Sequence, residues 1–304
     1  MEYILETHNL EKTYKNFKAL SNVNLHIEKG AIYGLIGKNG AGKTTLIRII
    51  CGLQKSTNGT YCIYGKLNTN KEIINIRKRI GAIIETPAIY YDMTAEDNLK
   101  EQYKIIGLPT YNGLKELLEL VGLANMEKKK VKNFSFGMQQ RLGIAIALVG
   151  NPDFLILDEP INGLDPEGII EIRELILKLN REKGITFLIS SHYLDELSKI
   201  ATHYGFLDKG IIIKEISSKE LEQNCKKRIE LKVSNLKECV RYLEENRYSY
   251  EVLSNDKVNI YNKINISEIA IALSKRNCKI NQFHEIEESL ESYYINLIGG
   301  NSHV

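Results

Sequence analysis

The chain has 304 residues, of which 43% are hydrophobic and 26% charged, a composition typical of a globular protein with one large domain or two modest ones. The formal net charge of +3 is too small to indicate a nucleic-acid partner, and none is expected. The first residues lack the basic and apolar regions of a signal peptide, and no apolar run approaches the ~20 residues that cross a bilayer. Any membrane spans that this protein serves must therefore come from another chain.

The chain begins with short predicted strands and turns. Residues 3–7 and 23–27 alternate apolar and polar side chains, as half-buried strands do. Residues 31–36 then form a continuous apolar run, which predicts a buried strand.

A glycine-rich loop follows that buried strand and precedes a predicted helix over residues 45–50. It matches G-x-x-x-x-G-K-[ST], the pattern of a P-loop that binds the phosphates of a nucleotide. The glycines allow backbone turns that a Cβ would forbid, so that successive N–H groups and the helix N-terminus can face phosphate oxygens. Lys43 would reach the β- and γ-phosphates and the Thr44 hydroxyl would bind Mg²⁺. The predicted ATP contacts here are Gly37, Asn39, Gly40, Ala41, Gly42, Lys43, Thr44 and Thr45.

The neighbouring sequence does not decide the roles of two residues outside this loop. The ring of Tyr14 either stacks on an adenine base or packs against the protein. Glu85 ends the predicted strand over residues 80–84, where a nucleotide-binding sheet has its ligand crevice, but without family knowledge an ordinary loop acid is the favoured interpretation.

Residues 92–150 change character and are predicted to be helical. Thr94 and Asp97 have capping-box spacing before an amphipathic run. Ser135 is a candidate N-cap of an apolar helix over residues 142–149, and such a helix start offers free N–H groups to an anion. The basic run at residues 128–130 is interpreted as a solvated loop.

Residues 151–152 end the preceding predicted helix, and a second predicted strand that ends in acidic residues follows them. Four apolar residues lead into Asp158 and Glu159, and adjacent buried carboxylates are costly unless a cation or ligand uses them. Together with a P-loop they predict the Mg²⁺ side of an NTPase site. Asp165 precedes the next predicted helix, and His192 ends a further buried strand over residues 186–191. We expect His192 at the same sheet edge as the two acids.

The C-terminal part has a different pattern. Two strands are predicted on either side of residues 209–210, and from residue 229 the predicted order is β-α-β-β-α-β, a ferredoxin-like pattern, followed by a helix over about 286–298. No catalytic constellation is visible in this part. The odd number of cysteines without a C-x-x-C pair predicts reduced thiols at Cys51, Cys62, Cys225, Cys239 and Cys278.

These motifs, in this order, resemble the ATPase subunit of an ABC transporter over roughly residues 1–216. The resemblance implies an α/β fold: a P-loop NTPase (RecA-like) core with an antiparallel β-subdomain and a helical subdomain at about 86–152. Residues 217–304 would form a small α+β, ferredoxin-like appendage. It also implies that Tyr14 stacks on adenine and that Asp158 holds Mg²⁺. Glu159 would be the general base, and His192 would contact the γ-phosphate. Asp165 would couple two ATP sites.

The segment from Ser135 to Arg141 resembles the family's signature L-S-G-G-Q-x-Q-R, with Phe136 in place of the first glycine and Met138 in place of the glutamine. In the family this helix end contacts ATP bound to the other subunit. The resemblance therefore implies that Ser135 and Gly137 bind ATP across a homodimer. Separate integral-membrane permease subunits would be driven from the cytoplasmic face of the membrane.

Glu85 stands where the family has the glutamine of the Q-loop, a Mg²⁺ ligand and the link to the membrane subunits. Glutamate there, with a methionine-bearing signature, is similar to the bacitracin-resistance and lantibiotic-immunity branch, which exports antimicrobial peptides. Two alternatives are kept: a soluble ABC ATPase with a non-transport role, and a nucleotide sensor that does not turn over. The presence of both Glu159 and His192 argues against the sensor.

Overall fold

The chain folds as two units, Met1–Ser218 and Lys219–Val304, in a computed structural model that describes residues 2–126, 128–224, 228–262, 264–286 and 290–299. The strands of the first unit are β1 (Tyr3–Tyr14), β2 (Phe17–Glu28), β3 (Ile32–Ile36), β4 (Asn58–Ile63), β5 (Lys66–Leu67), β6 (Ile80–Ile83), β7 (Phe154–Asp158), β8 (Thr186–Ser191), β9 (His203–Asp208) and β10 (Ile211–Ser217). Its helices are α1 (Lys43–Ile50), α2 (Ile73–Arg77), α3 (Ala95–Ile105), α4 (Leu114–Leu120), α5 (Phe136–Leu148), α6 (Pro166–Lys183) and α7 (Leu194–Ser198).

An antiparallel sheet in the order β2-β1-β4-β5 contains the N-terminal strands. The expectation of short strands and turns is wrong here, because β1 and β2 are each 12 residues long. Their pairing shifts register between Thr7 and Leu10, and Asn9 and Asn22 have positive φ. Such bulges interrupt the alternation of apolar and polar residues, so the full length of the strands is not visible in the sequence.

A six-stranded sheet in the order β10-β9-β3-β8-β7-β6 forms the centre of the first unit. Strands β9, β3, β8, β7 and β6 run parallel, and β3, β7 and β8 are buried along their whole length. Buried parallel strands require continuous apolar runs, which explains why their sequences predicted them well. The carboxyl ends of β3, β7 and β8 meet at one edge of the sheet, and the predicted α/β class is confirmed.

Helix α1 lies against one face of this sheet. Its Leu46, Ile47 and Ile50 belong to the same buried cluster as Ile156 of β7 and Leu188 of β8. The packing fixes the first turn of α1 beside the carboxyl end of β7.

Helices α3, α4 and α5 pack against one another. The predicted cap of α3 is confirmed, since the Thr94 hydroxyl accepts a hydrogen bond from the Asp97 N–H at 3.1 Å. Two 3-10 turns, Ala124–Met126 and Val131–Asn133, precede α5. None of the helices in the described part of the chain has the length and apolar character needed to cross a membrane.

The second unit contains a separate antiparallel sheet in the order β12-β13-β11-β14. Its elements are α8 (Ser218–Asn224), which begins at the boundary, β11 (Arg228–Val233), α9 (Leu236–Glu245), β12 (Tyr250–Val252), β13 (Lys257–Ile260), α10 (Ile266–Ser274), β14 (Ile280–Ile286) and α11 (Leu290–Gly299). Between β11 and β14 the order is β-α-β-β-α-β. Strand β14 continues to Ile286, where the last helix was predicted to begin, and α11 is described from Leu290 onward.

Side chains from β11, β13, α9 and α10 form a core of their own in this unit. Cys239 and Cys278 are buried in that core as free thiols, and Cys51 and Cys62 of the first unit are free as well. Cys225 lies outside the described residues.

Candidate active site

The loop between β3 and α1 has a shape that only glycine allows at two positions. Gly42 has φ +111°, and a Cβ there would lie 2.8 Å from the Ala19 carbonyl oxygen. A Cβ on Gly37 would lie 2.5 Å from the Leu207 carbonyl oxygen. The loop ahead of α1 is therefore packed so closely against neighbouring backbone at these two positions that a larger residue would not fit.

Lys43 is the first residue of α1, and its side chain folds back over this loop. The side chain is 6% exposed, and its ammonium donates a hydrogen bond to the Gly37 carbonyl oxygen at 2.6 Å. The same ammonium lies 3.2 Å from Oε1 of Glu159. Lys43 thus brings a positive charge to the edge of the sheet where β7 ends.

Asp158, the last residue of β7, is almost fully buried. The Ser190 hydroxyl donates a hydrogen bond to its Oδ1, while its Oδ2 is buried without a hydrogen-bond partner among the described residues. A buried carboxylate oxygen without a partner is costly unless a cation or a donor arrives. Carboxylate and hydroxyl oxygens are the ligands that a hard divalent cation prefers, and Thr44 on α1 supplies the hydroxyl. The oxygen atoms of Asp158 and Thr44 are therefore of the chemical type that such a cation binds beside a phosphate.

Glu159 follows directly and leaves the strand with φ +52°. Its carboxylate bridges two neighbours: Oε1 faces Lys43 at 3.2 Å, and Oε2 lies 2.8 Å from Nδ1 of His192. His192 comes immediately after β8, so the parallel register of β7 and β8 produces this contact. Lys43, Asp158, Glu159 and His192 therefore meet at one edge, although they are distant in sequence.

Tyr14 ends β1 with 40% of its surface exposed, which is not the burial of a core packing residue. The side-chain amide of Gln54 donates a hydrogen bond to its hydroxyl, and the Lys12 ammonium lies 5.0 Å from the ring centroid. The hydrogen bond to its hydroxyl orients the ring, while much of the ring surface stays accessible to solvent. Its stacking on adenine stays a prediction.

Glu85 forms an ion pair with a residue of helix α1. It has φ +64°, and its Oε1 accepts a hydrogen bond from Nη2 of Arg48 at 2.8 Å. Arg48 is on α1, and the two side chains are 44% and 61% exposed. The structure therefore connects Glu85 to the P-loop helix, and its predicted role as a Mg²⁺ ligand stays untested.

Ser135 is the N-cap of α5, as predicted, and its hydroxyl accepts a hydrogen bond from the Met138 N–H at 3.2 Å. Asp165 caps α6 in the same way, through the Gly168 N–H at 3.2 Å. A Cβ built on Gly137 would lie 3.8 Å from Cα of Gly168, so the two helix starts lie side by side. They form a second group of predicted residues, separate from the Lys43 contacts described above.

Three residues that hold this site were missed in the sequence: Ser190, Arg48 and Gln54. Ser190 carried a usable signal, since it is a polar residue near the end of an otherwise apolar strand. Arg48 and Gln54 are ordinary surface residues by sequence, and their roles depend on contacts to distant positions.

Cys51 at the end of α1 is not a reactive group of this site. Burial raises the pKa of its thiol to about 12, with nearby Arg77 opposing the shift and Asp158 adding to it. The thiol is therefore neutral at physiological pH and behaves as a small apolar side chain.

Comparison with known proteins assigns the family. The ABC transporter family model matches residues 20–162. The bacitracin transport ATP-binding protein BcrA of Enterococcus faecalis is 40% identical over 302 residues, covering 99% of this chain and 98% of the relative. The lantibiotic transport ATP-binding protein SrtF of Streptococcus pyogenes is 45% identical over 212 residues, covering 70% of this chain and 90% of the relative.

A solved structure is similar as well. It is a dimer of the ATP-binding cassette MJ0796 in a post-hydrolysis state bound to ADP and Pi, with a TM-score of 0.63, 28% identity and coverage of 70% of this chain and 98% of that one. Both the sequence and the fold of the first unit agree with the resemblance stated above, including the P-loop NTPase class. The chain belongs to the ABC transporter family as an ATP-binding and ATP-hydrolysing subunit.

Proposed function

We propose that this subunit powers the export of antimicrobial peptides of the bacitracin or lantibiotic type, as a resistance or immunity system. The observation that carries the proposal is the 40% identity to a bacitracin transport protein along 98% of its length, which includes the second unit. Permease subunits on other chains would form the membrane path, and this subunit would act at its cytoplasmic face.

ATP is bound, in this proposal, by the P-loop and α1. The backbone N–H groups of residues 37–42 and the N-terminus of α1 surround the phosphates. The Lys43 ammonium pairs with them, and Tyr14 supports the base. Thr44 and Asp158 would hold Mg²⁺, which would neutralise part of the phosphate charge.

Glu159 is the general base that orients the attacking water and accepts its proton. His192 holds one carboxylate oxygen of Glu159 at 2.8 Å and faces the γ-phosphate. Lys43 pairs with the other oxygen at 3.2 Å. A triphosphate is a stronger partner for that ammonium than one carboxylate, so a bound triphosphate competes for Lys43 and leaves the Glu159 carboxylate to the water. Positioning and charge neutralisation dominate such phosphoryl transfer.

A second copy of the chain completes each site. Ser135, Gly137 and Asp165 form the group of helix starts that would face the nucleotide of the partner copy. The dimeric state of the similar cassette MJ0796 and the exposure of Ser135 and Asp165 support this arrangement. The N-terminus of α5 adds a favourable field for a phosphate.

The export proposal is tested in cells. Expression of the chain with its permease in a sensitive strain is expected to raise the minimal inhibitory concentrations of bacitracin or of a lantibiotic. The Glu159→Gln version should give no protection, because it binds ATP without completing the cycle. Equal sensitivity of cells with wild-type and Glu159→Gln protein to both peptide classes would contradict export, and the soluble non-transport alternative would then stand.

Glu85→Gln is expected to change the ATPase rate of the isolated subunit by less than about tenfold, or ~1.4 kcal/mol in barrier, because Glu159 remains the base. The ion pair with Arg48 is largely exposed, so its coupling energy in a double-mutant cycle should be below about 1 kcal/mol. Cellular resistance should fall further than the ATPase rate, because the position connects to the permease in the family. If Glu85→Gln abolished hydrolysis as fully as Glu159→Gln, the coupling role would be wrong.

A further inference from the structure

Ser190 lies opposite Asp158 in the pairing of β7 and β8. In a parallel sheet, paired positions place their side chains on the same face, here the face that α1 covers. Ser190 is fully buried, so its hydroxyl can interact only with protein atoms or with something bound at this edge.

The direction of the hydrogen bonds around this hydroxyl follows from chemistry. The Glu159 N–H can only donate, and it points at Ser190 Oγ at 3.0 Å and at the Ser190 carbonyl oxygen at 3.2 Å. The hydroxyl therefore accepts from Glu159 and is left with one proton to donate. That proton goes to Oδ1 of Asp158.

The Ser190 hydroxyl affects both acids at this sheet edge, Asp158 and Glu159. Asp158 has one oxygen occupied by Ser190, and its other oxygen, Oδ2, is buried without a hydrogen-bond partner among the described residues. Glu159 has a positive φ of 52°, an uncommon conformation for a non-glycine residue, and its N–H is bound by Ser190. One hydroxyl thus fixes the rotation of the first carboxylate and the turn that directs the second.

We propose that Ser190 is a positioning residue for metal-bound nucleotide: it turns Asp158 so that Oδ2 faces the Mg²⁺ and fixes the backbone of Glu159 in the same contact. The inference rests on the proposed function of this site. Residues that hydrogen-bond a metal-binding group typically contribute 10- to 100-fold in metal affinity or activity. Asp158 without Ser190 would have two unpartnered oxygens and no preferred rotation toward the metal.

The neighbouring Ser191 provides a matched control. It is also buried, but it points to the opposite face of β8, where its hydroxyl accepts a hydrogen bond from the Tyr193 N–H at 2.9 Å. Ser190→Ala and Ser191→Ala therefore remove the same group from adjacent buried positions, and only the first touches Asp158.

The test measures Mn²⁺ binding to the full chain by electron paramagnetic resonance, with a non-hydrolysable ATP analogue present. Ser190→Ala is expected to weaken Mn²⁺ binding by about 10- to 100-fold. Affinity for the analogue in EDTA should stay within about threefold of wild type, because the hydrogen bonds of the Ser190 hydroxyl go to Asp158 and Glu159 and not to the P-loop. Ser191→Ala should leave Mn²⁺ binding unchanged. In an Asp158→Asn background, Ser190→Ala should cause no further loss.

Ser190→Thr separates positioning from packing. It keeps the hydroxyl but adds a methyl group to a fully buried site, so it should lower the unfolding temperature while preserving Mn²⁺ affinity. The inference fails if Ser190→Ala binds Mn²⁺ as Ser191→Ala does while Asp158→Asn binds it weakly, or if folded Ser190→Thr loses the metal. If Asp158→Asn itself binds Mn²⁺ normally, the metal site is elsewhere and the proposed function of this site falls with it.

Discussion

Replacing Glu159 by Gln is expected to slow ATP hydrolysis by about 10²- to 10⁴-fold while ATP binding persists, which is the range for loss of a general base. The amide has nearly the same shape but cannot accept a proton from water. It also removes the negative charge that faces Lys43 at 3.2 Å. Lys43 then lacks its competing anion, so ATP affinity should equal or exceed that of the wild type.

The expected observable is a trapped complex. With Mg·ATP, Glu159→Gln protein should elute as a dimer on size exclusion and release phosphate slowly. Glu167→Gln is a suitable control, because Glu167 is an exposed acid in the first turn of α6. Its rate should stay within about threefold of wild type, as for most surface substitutions. Hydrolysis by Glu159→Gln within the same threefold would exclude the general-base role.

The parts of the site that are local in sequence could be predicted closely. The loop at residues 37–42 needs glycine for its own backbone, and β3 and α1 flank it directly, so one continuous stretch contains the motif and its context. Asp158 and Glu159 were likewise visible at the end of a continuous apolar run. In each case the physical requirement and the residues that meet it lie within a few positions of each other.

Contacts set by strand register were not predictable in this way. Ser190 becomes important only because β8 pairs with β7 so that it lies opposite Asp158, 32 residues away. The Arg48–Glu85 pair joins two exposed side chains 37 residues apart, which no local pattern specifies. The bulges in β1 and β2 were not predictable either, since they break the alternation of apolar and polar residues on which strand prediction depends.

The contact between Lys43 and Glu159 also joins residues that are distant in sequence. It changes the effects expected of a mutation at Lys43. Local sequence assigns Lys43 only to phosphates, whereas the structure also gives it a carboxylate partner and the Gly37 carbonyl oxygen. The ammonium therefore holds two protein groups together in addition to any phosphate it binds. Its removal should lower ATP affinity and, separately, the stability of the fold around the site.

Lys43→Ala is expected to reduce ATP affinity by more than about 100-fold. Hydrogen bonds to charged groups are worth about 1.5–3 kcal/mol each, and the ammonium would make such bonds to both the β- and the γ-phosphate. Hydrolysis should fall at least as far, because the γ-phosphate also loses a positive charge that would neutralise it in the transition state. Lys43→Met, which keeps an apolar chain in this buried position, should bind ATP as poorly as Lys43→Ala and unfold closer to wild type.

The measurement is equilibrium binding of a fluorescent ATP analogue, with thermal unfolding of each variant recorded alongside. Lys29→Ala is the control, because Lys29 is an exposed lysine in the turn between β2 and β3, outside the loop at residues 37–42, and its removal should change affinity by no more than about threefold. A folded Lys43→Met protein that binds ATP as tightly as Lys29→Ala would show that the P-loop is not the nucleotide site. A loss of affinity confined to the Lys43 variants would separate the specific pairing of this ammonium with phosphate from the general positive charge of the protein, since both substitutions remove one positive charge.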